Sequence, residues 1–367
     1  MMFFILMVCA AEIQPLISET GIYAPVSQQE AVVDPDGAIY LLDKDEVKIL
    51  RFSPDGEKIG EFGRKGEGPG EMGFPGEMIF SNGKLYVKDF HRRGIHIFSK
   101  TGHFEKFIKL TKPFSDMVKV SNGWIIGDWM ASMPGQESKK DRLLWVDESL
   151  ENEKVIFEWD KKGPGKGIAF QITDGKAPKV PFNPASGSYH MAVNASGSKV
   201  YVSVPGSFKI CIFDVVTGEN IQTIEELLQP MPFNKDWGKK QIEELNNNQT
   251  GNFKLEFVAD FPEMFPFVRG IGFAPEGHFY VTRWQPLEDK QSAVLFFDQN
   301  GKRVKGALGA DALDRILGYH SGQAFFTIYD EDDESKIAKC PLADLNSWVS
   351  KLPILEEGGF KLEVTTD

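Results

Sequence analysis

Cysteine is scarce in this 367-residue chain, which carries three: Cys9, Cys211 and Cys340. Two remain once the first eleven residues are set aside, too few for a disulfide framework, and no Cys-x-x-Cys pair exists to hold zinc. Cys211 and Cys340 are therefore expected to be unbonded, behaving as small hydrophobes. Positive charge is in deficit as well. Lys and Arg number 41 against 53 Asp and Glu, a net charge of −12. That balance argues against a nucleic-acid partner, whose affinity rests on cationic contacts to phosphate. Beyond residue 11 no apolar run approaches the ~20 residues of a membrane helix. Two Gly-rich stretches, Gly63–Gly70 and Lys161–Gly167, lack the Gly-Lys-Ser/Thr ending of a phosphate loop. Pro69 and Pro164 remove backbone donors that such a loop needs, so tight turns explain these glycines better.

Aromatics and turn formers, by contrast, abound: 29 Phe, 8 Tyr and 7 Trp beside 36 Gly and 21 Pro. This combination favours an all-β protein. The N-terminal run Met-Met-Phe-Phe-Ile-Leu-Met-Val-Cys-Ala-Ala11 is apolar and ends in small residues. It reads as a signal-like segment over residues 1–11, with mature protein beginning near Ala11 or Glu12 and exported to the periplasm or outside the cell. The alternative is a lipoprotein anchored through Cys9, although Val8 occupies a position where a small residue is expected.

A Gly-centred turn followed by an aromatic or β-branched strand recurs six times. The copies are Asp36-Gly-Ala-Ile-Tyr-Leu-Leu, Asn82-Gly-Lys-Leu-Tyr-Val, Asn122-Gly-Trp-Ile-Ile, Ser196-Gly-Ser-Lys-Val-Tyr-Val, Glu276-Gly-His-Phe-Tyr-Val and Ser321-Gly-Gln-Ala-Phe-Phe. Their glycines, at 37, 83, 123, 197, 277 and 322, are spaced by 46, 40, 74, 80 and 45 residues. Three spacings match the ~40–50 residues of a four-stranded propeller blade. The long ones need insertions, supplied by residues 160–187 and 225–262, the second holding a predicted short helix near Asp236–Asn246. Within the first copy four strands follow in order: Ala31–Val33, Ala38–Leu42, Val47–Phe52 and Lys58–Phe62. The expected architecture is a single all-β domain over residues 12–367. It is a six-bladed β-propeller of four-stranded antiparallel blades, with loop insertions on one face.

These copies resemble NHL-type repeats, and Phe62-Gly-Arg-Lys-Gly-Glu-Gly-Pro-Gly-Glu-Met72 resembles the blade-joining loop of bacterial six-bladed propellers. The likeness covers most of residues 28–340. Such propellers include binding modules, lyases and hydrolases on one scaffold, so fold alone does not select a function.

Propeller topology sorts the loops. Turns between inner and second strands, and between third and fourth, lie on one plain face. Loops joining second to third strands, and blade to blade, lie on the other, together with both insertions. Functional groups concentrate on variable loops over a rigid scaffold, so the loop-rich face is the candidate site. Seven residues before each anchor glycine stand Glu30, Gly76, Asp116, His190, Gly270 and Arg315; eight before stand Gln29, Pro75, Ser115, Tyr189, Arg269 and Asp314. Inner strands begin here, at the mouth of the central channel. Glu30, Asp116, His190, Arg269 and Arg315 thus form a mixed ring able to grip an anion and place one base, with Tyr189 a further ligand-binding candidate beside His190. The bland alternative is a network of residues that satisfy one another and water.

The family resemblance implies two chemistries. NHL-type lyases hold zinc through channel-mouth histidines with a carboxylate, and gluconolactonase-like propellers hold a divalent ion through Glu, Asn and Asp. Here His190 is the lone histidine of the ring, and no Asn stands in it. His320 falls toward the plain face, and His91, His96 and His103 read as surface residues of blade two. Trp129 and Trp284, with Phe90 in the equivalent loop, suggest an apolar contact patch. The acidic run Asp330–Glu334 lacks the alternating ligand spacing of a calcium loop and reads as a solvated turn. The leading expectation is an exported, non-catalytic module that binds a protein, peptide or glycan and needs no cofactor. The alternative is a metal-dependent hydrolase or lyase using Glu30, Asp116 and His190. Ring closure is expected to use a strand from Ile13–Tyr23, with Gly359–Val364 as its rival.

Overall fold

The structure, a computed structural model, describes residues 14–17, 31–110, 116–128, 140–160, 168–172, 180–181, 189–226, 228, 232–247, 255–259, 261, 263–265, 267–273, 277–283, 293–308, 316–329 and 335–341. Six four-stranded antiparallel sheets form the blades. Blade one is Ala31–Val33, Ile39–Asp43, Lys48–Phe52 and Lys58–Phe62. Blade two is Pro75–Ser81, Lys84–Asp89, Gly94–Ser99 and Phe104–Lys109. Blade three is Asp116–Val120, Gly123–Asp128, Lys140–Val146 and Glu153–Asp160. Blade four is Met191–Val193, Lys199–Ser203, Phe208–Asp214 and Asn220–Glu226, and blade five is Gly270–Phe273, Phe279–Arg283, Ala293–Phe297 and Arg303–Leu308. Blade six takes three strands from the C-terminal side, Ile316–His320, Gln323–Tyr329 and Ser335–Pro341, and its fourth from the N-terminal strand Gln14–Ile17.

The last pairing closes the ring. Gln14 lies opposite Lys339 and Ile17 opposite Ile337. Lys339 reinforces the junction by donating to the Pro54 carbonyl at 2.9 Å and to Asp55 at 2.8 Å in blade one. Residues 359–364, the rival closing strand, lie outside the described residues.

Alternation along the second strands explains the packing. In blade one Ile39 and Leu41 join Phe325 and Ile337 of blade six, while Tyr40 and Leu42 join Leu85 and Val87 of blade two. A strand apolar on both faces is what a sheet stacked between two others requires. Blades two and three repeat the pattern: Tyr86 meets Trp124 edge-on, ring centroids 5.1 Å apart. The core is thus a series of clusters between blades. The register slips between third and fourth strands in blades one to five, at Arg51/Phe52, Ile97/Phe98, Leu143/Leu144, Ile212/Phe213 and Phe296/Phe297. Such bulges add twist at the rim of each blade.

All six anchor glycines have positive φ, between 69° and 85° except Gly123 at 153°. Asn82 shares the left-handed region at 52°, so Asn82-Gly83 makes a tight hairpin turn. The Gly-rich crossover after blade one is held by its own residues. Glu71 accepts from the Gly68 N–H at 2.8 Å and pairs with Arg64 at 2.6 Å. Arg92 donates to the Gly68 and Glu71 carbonyls at 3.2 and 2.9 Å. The two insertions pair with each other: Ile168–Ile172 runs antiparallel to Leu255–Ala259, and Val180–Pro181 extends that sheet. A helix, Lys235–Asn247, packs on the second of these strands.

Candidate functional site

Second strands end on the loop-rich face with a polar residue, and in blade two that residue fixes the neighbouring crossover. In blade two it is Asp89, wholly buried, which accepts from the N–H groups of Gly73 at 2.7 Å, Phe74 at 3.1 Å and Arg92 at 3.0 Å. Burial alone would raise its pKa, but hydrogen bonds from His96 and from those three N–H groups hold the carboxyl well below the usual range. In blade one the same position is Asp43, which accepts from the Glu46 N–H at 3.0 Å. In blade three it is Asp128, bonded by Arg142 Nε at 3.0 Å. Blade four has Ser203, whose Oγ accepts the His190 N–H at 2.8 Å, and blade five has Arg283, buried. The ends therefore change from carboxylate to hydroxyl to guanidinium between blades three and five.

Against this frame the channel mouth takes shape. The inner strands of blades three, four and five are successive neighbours, so Asp116, His190 and Arg269 come to corresponding ends of three adjoining strands. The Arg269 N–H donates to the Thr282 carbonyl at 2.8 Å, which sets its position. His190 crosses to blade five. Burial holds its pKa down at about 4; a hydrogen bond to the Val268 carbonyl opposes this, and the Arg269 guanidinium reinforces it. At neutral pH the imidazole is therefore uncharged and stands beside a guanidinium. Tyr189 is buried, packs at a tilt against Trp159 with centroids 5.1 Å apart, and donates its hydroxyl to Asp141 at 3.1 Å. Its hydroxyl is thus tied to blade three.

Glu30, Arg315, Trp129 and Trp284 lie outside the described residues, as does the acidic run 330–334, and of Asp116 only the backbone is described. His320 is on the plain face as expected, its Nδ1 2.7 Å from the Pro35 carbonyl of blade one. One expectation is corrected. His96 is not a surface histidine: its side chain is 0% exposed, with Nε2 3.2 Å from Asp89 and rings of Phe98, Phe104 and Phe107 around it. It alternates onto the face of its strand that packs toward blade one, which a loop-and-strand reading of the cluster did not resolve. His91 and His103 are exposed. Phe74 is a further residue the sequence reading passed over. The available signal was the aspartate six residues after the anchor glycine in blades one and two, Asp43 and Asp89. Among the described residues no three His, Cys, Asp or Glu side chains are grouped to hold a metal ion.

Six closed blades with one enlarged face define a six-bladed β-propeller whose insertions lie on the face where the inner strands begin. A family model described as a 6-bladed beta-propeller, DUF5128, matches residues 19–255. The chain belongs to that family. No curated protein matches it. A solved protein of Bacteroides fragilis, named as a presumed exported protein, superimposes with a TM-score of 0.52 at 11% identity, covering 89% of this chain and 94% of that one. A DUF4221 family member from Bacteroides vulgatus does so with a TM-score of 0.53 at 9% identity, covering 90% and 98%. At these identities the likeness speaks for the fold alone. No described helix is long and apolar enough to cross a membrane.

Proposed function

We propose that this protein is an exported, NHL-type propeller that acts as a non-catalytic binding module, taking a protein, peptide or glycan on its loop-rich face. The observation that carries this reading is the state of His190. General acid–base catalysis is most effective when the catalytic pKa lies near the working pH. With a pKa of about 4, His190 is uncharged at neutral pH, a weak base and a poor general acid, its N–H being given to the Val268 carbonyl. Paired with Arg269 it is suited to recognition: a fixed neutral imidazole beside a guanidinium offers hydrogen-bonding and charge complementarity to an acidic or polar group. The paired insertions enlarge the same face.

A second reading, a metal-dependent hydrolase or lyase with Glu30, Asp116 and His190 as ligands, draws on the same observation, because a metal takes histidine in its neutral form. Metal content of the purified full chain separates the two. Stoichiometric, tightly held zinc or calcium replaces the binding reading with the enzyme. Panning of peptide and glycan libraries against the native chain and a His190→Ala/Arg269→Ala variant tests the binding reading directly. Ligands enriched on the native chain and lost from the variant are expected; enrichment indifferent to the variant moves the site away from the mouth. For export, the apolar run Met1–Ala11 motivates cleavage near Ala11 or Glu12, with lipidation at Cys9 as the alternative. Native protein whose N-terminal sequence still reads Met1 contradicts both.

A further inference from the structure

The loop-rich face of blade two carries a feature separate from the channel mouth. Phe74 and Phe90 are 59% and 45% exposed, and their ring centroids lie 6.2 Å apart. Phe74 closes the crossover from blade one, and Phe90 opens the loop between second and third strands. Slack in the chain does not account for their exposure. Buried Asp89 accepts the Phe74 N–H at 3.1 Å, and the Phe90 N–H donates to the Phe74 carbonyl at 3.0 Å. Gly76 leaves room for the Phe90 ring, which a Cβ at that position would overlap. Two large rings are thus exposed to water on a backbone anchored by hydrogen bonds, an arrangement that internal packing does not require.

In the crossover and the loop that carry the rings, the exposed groups without an ion-pair partner among the described residues include two cations, Lys65 and Arg93, and one acid, Glu67. His91 and Arg93 are exposed in the same loop, and Lys65, exposed, pairs along the backbone with Met72 in the crossover. None of the three has an ion-pair partner among the described residues. In a chain of net charge −12, Lys65 and Arg93 against Glu67 are a small local excess of positive charge. The polar groups nearest the rings serve each other: Lys88, 4.9 Å from the Phe90 centroid, is bonded to Glu77 at 3.2 Å, and both are largely buried.

We infer that Phe74 and Phe90, flanked by Lys65 and Arg93, dock an acidic peptide segment of a partner protein through an apolar side chain. The inference rests on the binding reading above and assigns it a second contact point and a ligand class. The apolar side chain seats on the two rings while neighbouring carboxylates face Arg93 and Lys65. Because the backbone beneath the rings is already anchored, little backbone freedom is lost on binding.

The test is fluorescence anisotropy of the full chain with labelled peptides of about a dozen residues, enough to span one such contact. One peptide is rich in Glu and Asp around a central Leu-Phe; a second replaces Leu-Phe by Ser-Ser; a third replaces the acids by Gln. The first is expected to bind, and the other two to bind at least about tenfold more weakly, as does the first peptide on a Phe74→Ser/Phe90→Ser variant. Both side chains are exposed, so that variant is expected to keep its melting temperature. Arg93→Asn is the second variant. Arg93 has φ 52°, a region asparagine adopts readily, so folding is retained while affinity for the acidic peptide falls about threefold. Absence of binding by the acidic peptide overturns the inference. So does equal binding by the Gln peptide, or a neutral oligosaccharide that binds in a Phe90-dependent way. Binding that survives Phe74→Ser/Phe90→Ser but is lost in His190→Ala/Arg269→Ala also refutes it, while leaving the binding reading of the face intact.

Discussion

His96 Nε2 lies 3.2 Å from Asp89, with both side chains removed from solvent, inside a barrel of phenylalanine rings. The same carboxylate holds the crossover between blades one and two through two backbone N–H groups and the following loop through a third. One aspartate therefore couples a buried imidazole to the shape of the loop-rich face.

Asp89→Ala leaves three N–H groups and an imidazole without their acceptor. Removing one partner of a buried pair costs about 3–5 kcal/mol. Urea unfolding is expected to show a loss of that order. The contribution also has a pH signature. The folded-state pKa is depressed, so the stabilisation is present above the unfolded aspartate value of ~3.9 and is lost as pH falls below it. The stability difference between native chain and variant is expected to be flat near neutrality and to shrink only in strong acid.

His190 titrates in a different window. Its folded pKa is about 4 against 6.5 for a free side chain, so between those values the unfolded chain binds the proton more tightly. Stability is complete above pH 6.5 and falls as pH drops towards 4, by about 1–3 kcal/mol in all. His190→Gln is expected to flatten this part of the melting-temperature profile. An unchanged slope would show that the imidazole is not held neutral.

Lys119 is a buried cation on the plain face. Its Nζ donates to the Val120 and Gly123 carbonyls at 2.6 and 3.0 Å and to Glu148 at 2.7 Å, and it lies 5.3 Å from the Trp124 ring centroid. Lys119→Ala opens a gap between blades two and three and strands those acceptors, at a cost of about 3 kcal/mol. Lys119→Met keeps the packing and is expected to recover part of that loss. Chemical denaturation of the two variants side by side decides whether charge or volume matters more.

Deleting residues 12–24 removes the strand Gln14–Ile17, which covers the outer edge of blade six. An uncovered edge invites pairing with other chains. The deletion is expected to lower the melting temperature by many degrees and to promote aggregation, whereas deleting residues 358–367 leaves the ring closed. The reverse pattern in calorimetry would place closure at the C-terminus.

Much of the fold was legible because its repeat is local. Each anchor glycine, 37 through 322, marks a turn whose backbone needs positive φ, and the strand after it is apolar at consecutive positions because blades stack on both its faces. The site was legible only in part. Counting back from the glycines brought Asp116, His190 and Arg269 to corresponding strand ends, since inner strands start at a common height. What those side chains meet was not: Tyr189 is spent on Asp141, 48 residues away in sequence, and His190 reaches Val268 in the next blade.

The division has a physical reason. Strand period, turn type, net charge and the scarcity of cysteine are properties of short segments, and these determine an all-β chain with six blades and one enlarged face. The burial of His96 against Asp89, the pairing of Ile168–Ile172 with Leu255–Ala259 and the seating of Gln14–Ile17 beside Ser335–Pro341 join segments that no local period relates. Only ring closure brings them together. Which polar groups are buried, and how far their protonation shifts, follows from those distant contacts and belongs to the tertiary structure.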